Sequence, residues 1–369
     1  MAAGLLFWAR FGLMTDRIMF QTLAKKAPAG WVLAALLLAL VAALAAEHLH
    51  LPLPWMIGPL FSVAAARTAG LPLLAPPGGR QAGQWAIGTA LGLYFTPEVL
   101  GHLGDNLLPV LLMAACAVAV GVLSALLIRR WAGVGAATAF FAGLPGGASE
   151  MVVLAERQGG APDRVAAAHA LRVMLVVSVV PFVLQHWGAV GAEVFSGSAR
   201  AVDPARLPVL VGVALAGVLL LGRLRIANAW VLGPLLCIGA LAALQVPLSA
   251  LPGWAVSGGQ LLLGTALGCR FSPEFFRAAP RFLAVSAAST LLALGLSGAF
   301  VVALGRFVPI PVSSLALAAS PGGMAEMCVT AKVMHLAVPL VTATHVLRVV
   351  VLTVWAPRMC GLFLRLLGR

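Results

Sequence analysis

The sequence predicts an all-α polytopic membrane protein with two inverted-topology repeats, each built from about five transmembrane helices and one re-entrant helical hairpin. Three observations predict it: 62% of the 369 residues are hydrophobic and 9% are charged, one residue pattern occurs twice, and one segment of each copy is broken at its centre. Soluble domains carry about 25% charged residues. Ala, Leu and Val fill long blocks, and a membrane-spanning helix needs about 20 residues. These blocks lack the alternating apolar and polar faces of barrel strands.

The duplication is carried by short motifs that recur at one spacing. Gly88-Thr-Ala-Leu-Gly92 recurs as Gly264-Thr-Ala-Leu-Gly268, 176 residues later. Pro145-Gly-Gly147 recurs as Pro321-Gly-Gly323 at the same separation. Chance does not hold one register over about 100 residues, so the two halves are copies of one module. The other matched pairs are Glu150 and Glu326, His169 and His345, and Arg172 and Arg348.

Each copy contains six apolar segments. In the first copy they lie near 31–49, 54–68, 81–95, 107–128, 135–157 and 165–187, and in the second near 207–222, 227–245, 256–270, 282–304, 312–335 and 337–356. The predicted organisation is an N-terminal cytoplasmic or interfacial segment at 1–30, a first membrane repeat at 31–190, a linker at 191–205, a second repeat at 206–358 and a cytoplasmic tail at 359–369.

The fifth segment of each copy carries Pro-Gly-Gly at its centre, which breaks a helix. Each arm is about 10 residues, or roughly 15 Å of helix, half a bilayer. If both segments return to the side they entered, 18 Lys and Arg are cytoplasmic and 4 are outside, against 14 and 8 if both cross. The positive-inside rule favours the hairpin over a kinked spanning helix. Five crossings per copy then invert the copies and leave both termini cytoplasmic.

The two hairpin tips are the first candidates for a binding site. The returning arm begins just after the glycines, so its free N–H groups and positive dipole end point at the middle of the membrane. Such an end can hold a carboxylate or another anion, and glycine lets a solute approach the backbone. The candidate substrate- or ion-binding residues are Pro145, Gly146, Gly147 and Ser149 in the first tip and Ser320, Pro321, Gly322 and Gly323 in the second.

Glu150 and Glu326 lie about one turn into the returning arms. If Gly147 and Gly323 are N-caps, each glutamate falls at the third helical position, where its carboxylate can satisfy its own helix end. The functional alternative is a carboxylate at membrane depth that carries a proton or binds a cation. The sequence leaves both interpretations open.

His169 and Arg172 lie three residues apart on the sixth segment, and His345 and Arg348 repeat that spacing on the twelfth. Residues three apart share a helix face, and an arginine within a span must face protein or water. Ion pairs with the glutamate of the same copy are one interpretation, and contact with substrate is the other.

A metal site from the two glutamates and two histidines is chemically conceivable, but the sequence does not favour it. Histidines on neighbouring turns would be needed, and an arginine beside a dication is unfavourable. The five cysteines are scattered and contain no CxxC. We therefore expect no metal and no cofactor.

The formal net charge of +13 invites comparison with nucleic-acid-binding proteins. The basic residues lie between apolar blocks and form no dense patch, which is typical of residues that orient a membrane protein. The expected partners are a small-molecule or ion substrate and the lipid bilayer, without nucleic acid. A homo-oligomer is left open.

The paired motifs G-L-P-G-G-A-S-E-M and A-S-P-G-G-M-A-E-M, with the downstream H-A-L-R and H-V-L-R, resemble the AbrB-duplication family of bacterial membrane proteins. The resemblance covers the chain from about residue 31 and implies a multi-pass protein of the bacterial inner membrane. Family members carry labels naming an ammonia monooxygenase or a regulator of gene expression. The sequence has no copper-type histidine cluster and no basic arm for DNA, so neither label fits these residues well.

The predicted function is transport of a small polar or anionic solute by alternating access, coupled to protons or another ion. Glu150 and Glu326 would carry the coupling ion, and Arg172, Arg348 and the glycine backbone would hold the solute. A membrane-embedded sensor that regulates gene expression and a membrane monooxygenase are the alternatives; an enzyme is the less favoured class.

Overall fold

The computed structural model of the chain describes residues 29–187, 201–224, 226 and 228–366. The interfacial segment expected at 1–30 lies almost wholly outside these residues, as does most of the linker expected at 191–205. The described residues form helices and contain no strand, so the all-α prediction is confirmed.

The helices of the first half recur in the same order in the second. The first half contains α1 (Ala29–His48), α2 (Pro54–Thr68), α3 (Gly79–Gly92), α4 (Pro97–Asp105), α5 (Leu107–Trp131), α6 (Ala136–Gly143), α7 (Ala148–Arg157) and α8 (Pro162–His186). The second half contains α9 (Leu207–Arg223), α10 (Ala229–Ala243), α11 (Gly253–Gly268), α12 (Pro273–Ala278), α13 (Pro280–Leu304), α14 (Val312–Ala319), α15 (Met324–Val333) and α16 (Val338–Leu366).

Five described helices, α1, α5, α8, α13 and α16, are long and apolar enough to cross a membrane. Two shorter apolar helices, α9 and α10, accompany them. Large apolar side chains on the outside of these helices are exposed, among them Val41, Leu108 and Leu219, each about two-thirds exposed. Water would disfavour such a surface and lipid tails would not, so the prediction of a membrane protein is supported by the packing as well as by composition.

The helices pack into two bundles, and each bundle takes equivalent helices from both halves. The six-helix bundle contains α1, α2, α3, α9, α10 and α11. The eight-helix bundle contains α5, α6, α7, α8, α13, α14, α15 and α16. The bundles touch where α3 packs on α15 and α16 and where α2 packs on α8, while α4 packs on both α10 and α16.

Glycines hold the six-helix bundle together through contacts that are reciprocal between the halves. A Cβ on Gly88 of α3 would overlap the backbone of Val231 in α10, and a Cβ on Gly264 of α11 would overlap the backbone of Met56 in α2. These close approaches are the small-residue packing expected where lipid provides no hydrophobic drive between helices. The repeated Gly-x-x-x-Gly motif is therefore a packing element.

We expect Gly88→Ala and Gly264→Ala to lower the free energy of unfolding by about 1–3 kcal/mol each, because the neighbouring atom is rigid backbone. Gly212 on α9 is the matched control, since nothing lies within 4 Å of a Cβ built there. Gly212→Ala should stabilise the helix by up to ~1 kcal/mol. Thermal unfolding of the purified variants in detergent measures both effects, and unchanged stability of Gly88→Ala would contradict the packing argument.

Candidate functional site

Each broken segment forms a hairpin that returns to the place where it started. Thr138, near the start of α6, accepts a hydrogen bond on its side-chain oxygen from the backbone N–H of Ala161, just after α7, at 2.9 Å. Ser314 and Ala337 make the equivalent bond at 3.2 Å in the second half. The first arm therefore begins close to where the second arm ends. Each hairpin has both of its chain ends on one side and its tip on the other.

The tip is a short extended stretch between two helices. In the first half, Leu144 has φ −70° and ψ 133°, and Gly147 has φ −63° and ψ 126°. Gly147 is the N-cap of α7 and Gly323 is the N-cap of α15, with no side-chain cap on either helix. A Cβ on Gly147 would overlap the carboxylate of Glu150. Glu150 therefore lies over the N-terminus of its own helix, as the N-cap interpretation expects.

His169 and Arg172 of α8 satisfy the carbonyl groups at the C-terminal end of α6. The His169 ring nitrogen Nε2 lies 3.0 Å from the carbonyl oxygen of Phe141. Arg172 donates to the carbonyl oxygens of Leu144 at 2.8 Å and Gly143 at 3.0 Å, and also to that of Ala142. These four carbonyls are the ones that a helix end leaves without a partner.

His345 and Arg348 of α16 repeat this arrangement on the other hairpin. His345 Nε2 lies 3.1 Å from the carbonyl oxygen of Leu317, and Arg348 donates to those of Ser320 at 2.7 Å and Gly322 at 2.6 Å. The partners are again 28 residues away for His345 and for the Nη1 atom of Arg348. We call each His–Arg pair with its carbonyls a carbonyl clamp.

The two carbonyl clamps replace the ion pairs that one of the two sequence-based interpretations expected for the arginines, and contact with substrate stays a prediction. Within the part of the chain that the structure describes, neither Arg172 nor Arg348 forms an ion pair with a glutamate. Their guanidinium groups are instead committed to backbone carbonyls, and both side chains are buried, at 6% and 2% exposure. Among the same residues, no three His, Cys, Asp or Glu side chains come together in a way that could hold a metal ion.

Both hairpin tips open into one cavity of about 80 Å³ between the two bundles. The eight-helix bundle contributes the tips and parts of α8 and α16, and the six-helix bundle contributes parts of α3, α10 and α11. Nine residues named from the sequence line it: Gly146, Gly147, His169, Arg172, Pro321, Gly322, Gly323, Glu326 and Arg348. The other five, Pro145, Ser149, Glu150, Ser320 and His345, belong to the same tips and carbonyl clamps but are not among its lining residues.

The cavity also contains polar residues that the sequence analysis did not single out. Arg80 and Gln84 of α3, Asn228 before α10 and Arg270 after α11 all line it. Three of them have apolar or aromatic equivalents in the other half, because Arg80 corresponds to Val256, Asn228 to Leu53 and Arg270 to Tyr94. That mismatch is a signal the sequence did contain: a charged or amide side chain stands in one copy where the other copy has an apolar or aromatic one.

We expect Arg172→Met and Arg348→Met to destabilise the protein strongly, because each leaves buried carbonyls without a donor at about 1–3 kcal/mol per group. Arg172→Lys should recover part of the loss, since an ammonium donates to fewer carbonyls than a guanidinium. Arg130, exposed at the end of α5, provides the control Arg130→Met. Thermal unfolding in detergent ranks the variants, and equal stability of Arg172→Met and Arg130→Met would argue against the carbonyl clamp.

Comparison with known proteins gives matches over most of the chain. The model of the family described as "Transition state regulatory protein AbrB" matches residues 55–364. "Uncharacterized protein YhjN" of Bacillus subtilis (strain 168) is 26% identical over 294 residues, which cover 74% of this chain and 76% of the relative. "Putative regulator AbrB" of Escherichia coli (strain K12) is 26% identical over 301 residues, covering 81% and 86%. Because the family model spans both hairpins and both carbonyl clamps, the chain belongs to the AbrB family.

Proposed function

We propose that this protein is a secondary transporter that carries a small polar or anionic solute across the bacterial inner membrane by alternating access. The observation that supports it most is that two helical breaks meet at one cavity between two bundles. Broken helices are costly in a bilayer unless their freed backbone groups line a cavity or are buried in protein. Paired breaks of this kind are the binding sites of many secondary transporters.

The order of contacts between α3 and α11 supports an inverted arrangement of the two halves. Along α3 from Ala86 through Gly83 to Gly79, the nearest neighbours on α11 move from Gly259 towards Leu262. Contacts that advance in opposite directions are those of antiparallel helices. Since α3 and α11 are equivalent helices, an antiparallel pair is what inverted repeats require.

The neighbouring helices agree with this. From Met56 to Leu60, α2 meets Gly264 and then Gly268 of α11, so α2 runs parallel to α11. The contacts of α10 with α3 advance in the same parallel way. If α3 and α11 are antiparallel, the equivalent helices α2 and α10 are antiparallel as well. The re-entrant hairpins would then approach the cavity from opposite membrane faces.

The difference between the two returning arms supports alternating access. In α15, Met324 and Ala325 are buried, and this helix packs on α3 and α8 of the first half. In α7, the equivalent of Ala325 is Ser149, which is exposed. The second-half equivalents of α3 and α8 are α11 and α16, and α7 packs less closely on these two helices than α15 packs on α3 and α8. Two equivalent hairpins in different surroundings are expected of a protein captured with its cavity open to one side, the opposite state being reached by exchanging their roles.

Basic residues support a cytoplasmic opening. Under the hairpin topology, the start of α3 and the end of α11 lie on the cytoplasmic side. That side holds 18 of the Lys and Arg residues that are not within membrane spans. Arg80, Asn228 and Arg270 then lie at the cytoplasmic side of the cavity. Their counterparts Val256, Leu53 and Tyr94 would lie towards the outside.

Glu150 and Glu326 are the proposed coupling groups. Glu326 lines the cavity, and Glu150 covers the N-terminus of α7 beside it. Oε2 of Glu150 is buried and has no hydrogen-bond partner in the described part of the chain. A half-buried carboxylate at a tip can take up or release a proton as the tip moves between surroundings, which would link ion flux to the solute.

A regulatory role, as in the printed name of the Escherichia coli relative, is the competing proposal. A sensor would bind the solute in the same cavity and would not move it. Binding by the purified protein without uptake into proteoliposomes therefore favours the sensor, and uptake favours the transporter.

The hairpin topology predicts that Arg130 and Gly160 lie on the same side of the membrane. In a background whose native cysteines are replaced, Arg130→Cys and Gly160→Cys should react with a membrane-impermeant maleimide only from the cytoplasmic side. Gly101→Cys, on α4 with nothing within 4 Å of its Cβ, should react only from outside. Labelling of the first two variants from opposite sides would replace the hairpin with a full crossing and end the inverted-repeat proposal.

The coupling proposal predicts that Glu150→Gln with Glu326→Gln abolishes the effect of an imposed pH gradient on uptake. The probe is radiolabelled succinate in proteoliposomes, measured with and without the gradient. Glu156→Gln is the matched control, because Glu156 is on the same helix α7 and is exposed. Gradient-driven uptake that continues unchanged in the double variant would remove the glutamates from the mechanism.

A further inference from the structure

The cavity holds more positive charge than the protein itself neutralises. Four arginines line it, Arg80, Arg172, Arg270 and Arg348, against one glutamate, Glu326. Glu150 adjoins the cavity at the first tip and interacts electrostatically with Arg80. With both glutamates ionised, the formal charge of this group is +2.

The helix ends at the tips do not alter this balance. Each tip joins the C-terminal end of one short helix to the N-terminal end of the next, and these ends carry opposite partial charges of about half a unit. The C-terminal ends are occupied by the carbonyl clamps. The N-terminal ends of α7 and α15 are covered by the carboxylates of Glu150 and Glu326, whose charges are already counted in the +2.

Two of the arginines have no hydrogen-bond or ion-pair partner among the described residues. Arg172 and Arg348 donate to tip carbonyls, but Arg80 and Arg270 donate no hydrogen bond and form no ion pair within 4 Å to any described residue. Arg270 interacts electrostatically with both Arg80 and Glu326, and Arg80 also interacts with Glu150. Two like charges held together in a partly buried cavity are unfavourable, and the two glutamates beside them still leave the group with a formal charge of +2.

A third observation points to the same ligand chemistry. Arg348 is 2% exposed and lines the cavity, and its Nε has no hydrogen-bond partner among the described residues. The hydroxyl oxygen of Ser320, at the same tip but behind the residues that line the cavity, is also buried without a partner. Buried donors are rarely left unsatisfied, so the tip has hydrogen-bonding capacity that the protein does not use.

The unpartnered arginines are specific to one side of the cavity. Arg80 and Arg270 correspond to Val256 and Tyr94 in the other half. The fold therefore does not need an arginine at either position, since the equivalent helix end forms without one. The positive-inside rule accounts for basic residues on this side of the membrane, and the cavity lining makes these two accessible to a solute.

We propose that the solute is a small dianion, a short dicarboxylate or a divalent oxyanion, bound between the Arg80–Arg270 pair and the two hairpin tips. Two negative charges cancel the +2 of the cavity group. The volume of about 80 Å³ favours a short anion over a bulky one. The biological role of this dianion site rests on the proposed transport function. The binding chemistry is argued from the cavity alone.

The test is a comparison of matched anions that differ by one charge. Succinate and succinamate have nearly the same shape, with one carboxylate replaced by an amide, and sulfate and methanesulfonate form the same comparison for oxyanions. Calorimetric titration of the purified full-length chain in detergent should give tighter binding of the dianion by about 10- to 100-fold, the equivalent of one charge-assisted hydrogen-bond contact of 1.5–3 kcal/mol. The pair that shows the preference identifies the dicarboxylate or the oxyanion.

Arg80→Gln and Arg270→Gln should each remove most of this preference while changing monoanion affinity much less, and Arg80→Lys should restore part of it. Arg306→Gln is the control, because Arg306 is exposed and is not among the residues that line the cavity. Equal affinity of the wild-type chain for dianion and monoanion, or absence of binding by all four probes, overturns the dianion proposal without any variant having to fold.

The two proposals fail in different ways. Dianion-selective binding with no uptake of the same anion into proteoliposomes rejects transport and keeps the dianion site. Uptake of succinamate at the rate of succinate rejects the dianion site and keeps transport.

Discussion

The structure depends on two buried arginines that donate hydrogen bonds to the backbone of broken helices. Interrupting a helix within an apolar environment leaves carbonyl groups unpaired, and no water is present to solvate them. Arg172 and Arg348 supply several donors each from one rigid planar group, which a lysine could not do. Their own desolvation is compensated in turn by the oriented carbonyls. Each break is therefore stable only because a long neighbouring helix carries a His and an Arg one turn apart.

This arrangement gives the two ends of each tip different partners. Carbonyl groups at the C-terminal end of the first arm accept hydrogen bonds from the arginine of the carbonyl clamp, whereas the N-terminal end of the returning arm is covered by the glutamate of its own helix. Each returning arm begins at the cavity, so in the proposed mechanism this end and the glutamate over it would form a binding surface. Because the chain is duplicated, two such surfaces meet in one place.

In the proposed mechanism, the division into two bundles would give this site a means of changing its exposure. Each bundle is assembled from equivalent helices of both halves, with close glycine contacts inside the six-helix bundle. Packed bundles move as units more readily than they deform internally. A cavity at the boundary between them is where such movement would alter access. In the proposed mechanism, Arg80, Asn228 and Arg270 then favour the anion from one side only, which makes the transport cycle chemically asymmetric despite the duplicated fold.

Periodicity, charge placement and duplication are local or one-dimensional properties, so the sequence by itself determined the helical membrane class, the paired breaks and the residues of the tips. It also identified His169 and Arg172 as a pair on one helix face. It did not determine their partners, because backbone carbonyls 28 residues away have no sequence signature and a nearby glutamate is the more obvious choice for an arginine.

Only the tertiary structure decided which residues share the cavity. Arg80 and Arg270 are 190 residues apart in the chain. Arg80 lies at the start of α3, and Arg270 lies just after the end of α11. They come together because α3 and α11 pack against each other across the two halves. Contacts of this kind between the two halves build the six-helix bundle. Packing between helices that are distant in the chain depends on how their glycine surfaces fit in three dimensions, and no spacing along the sequence specifies that fit.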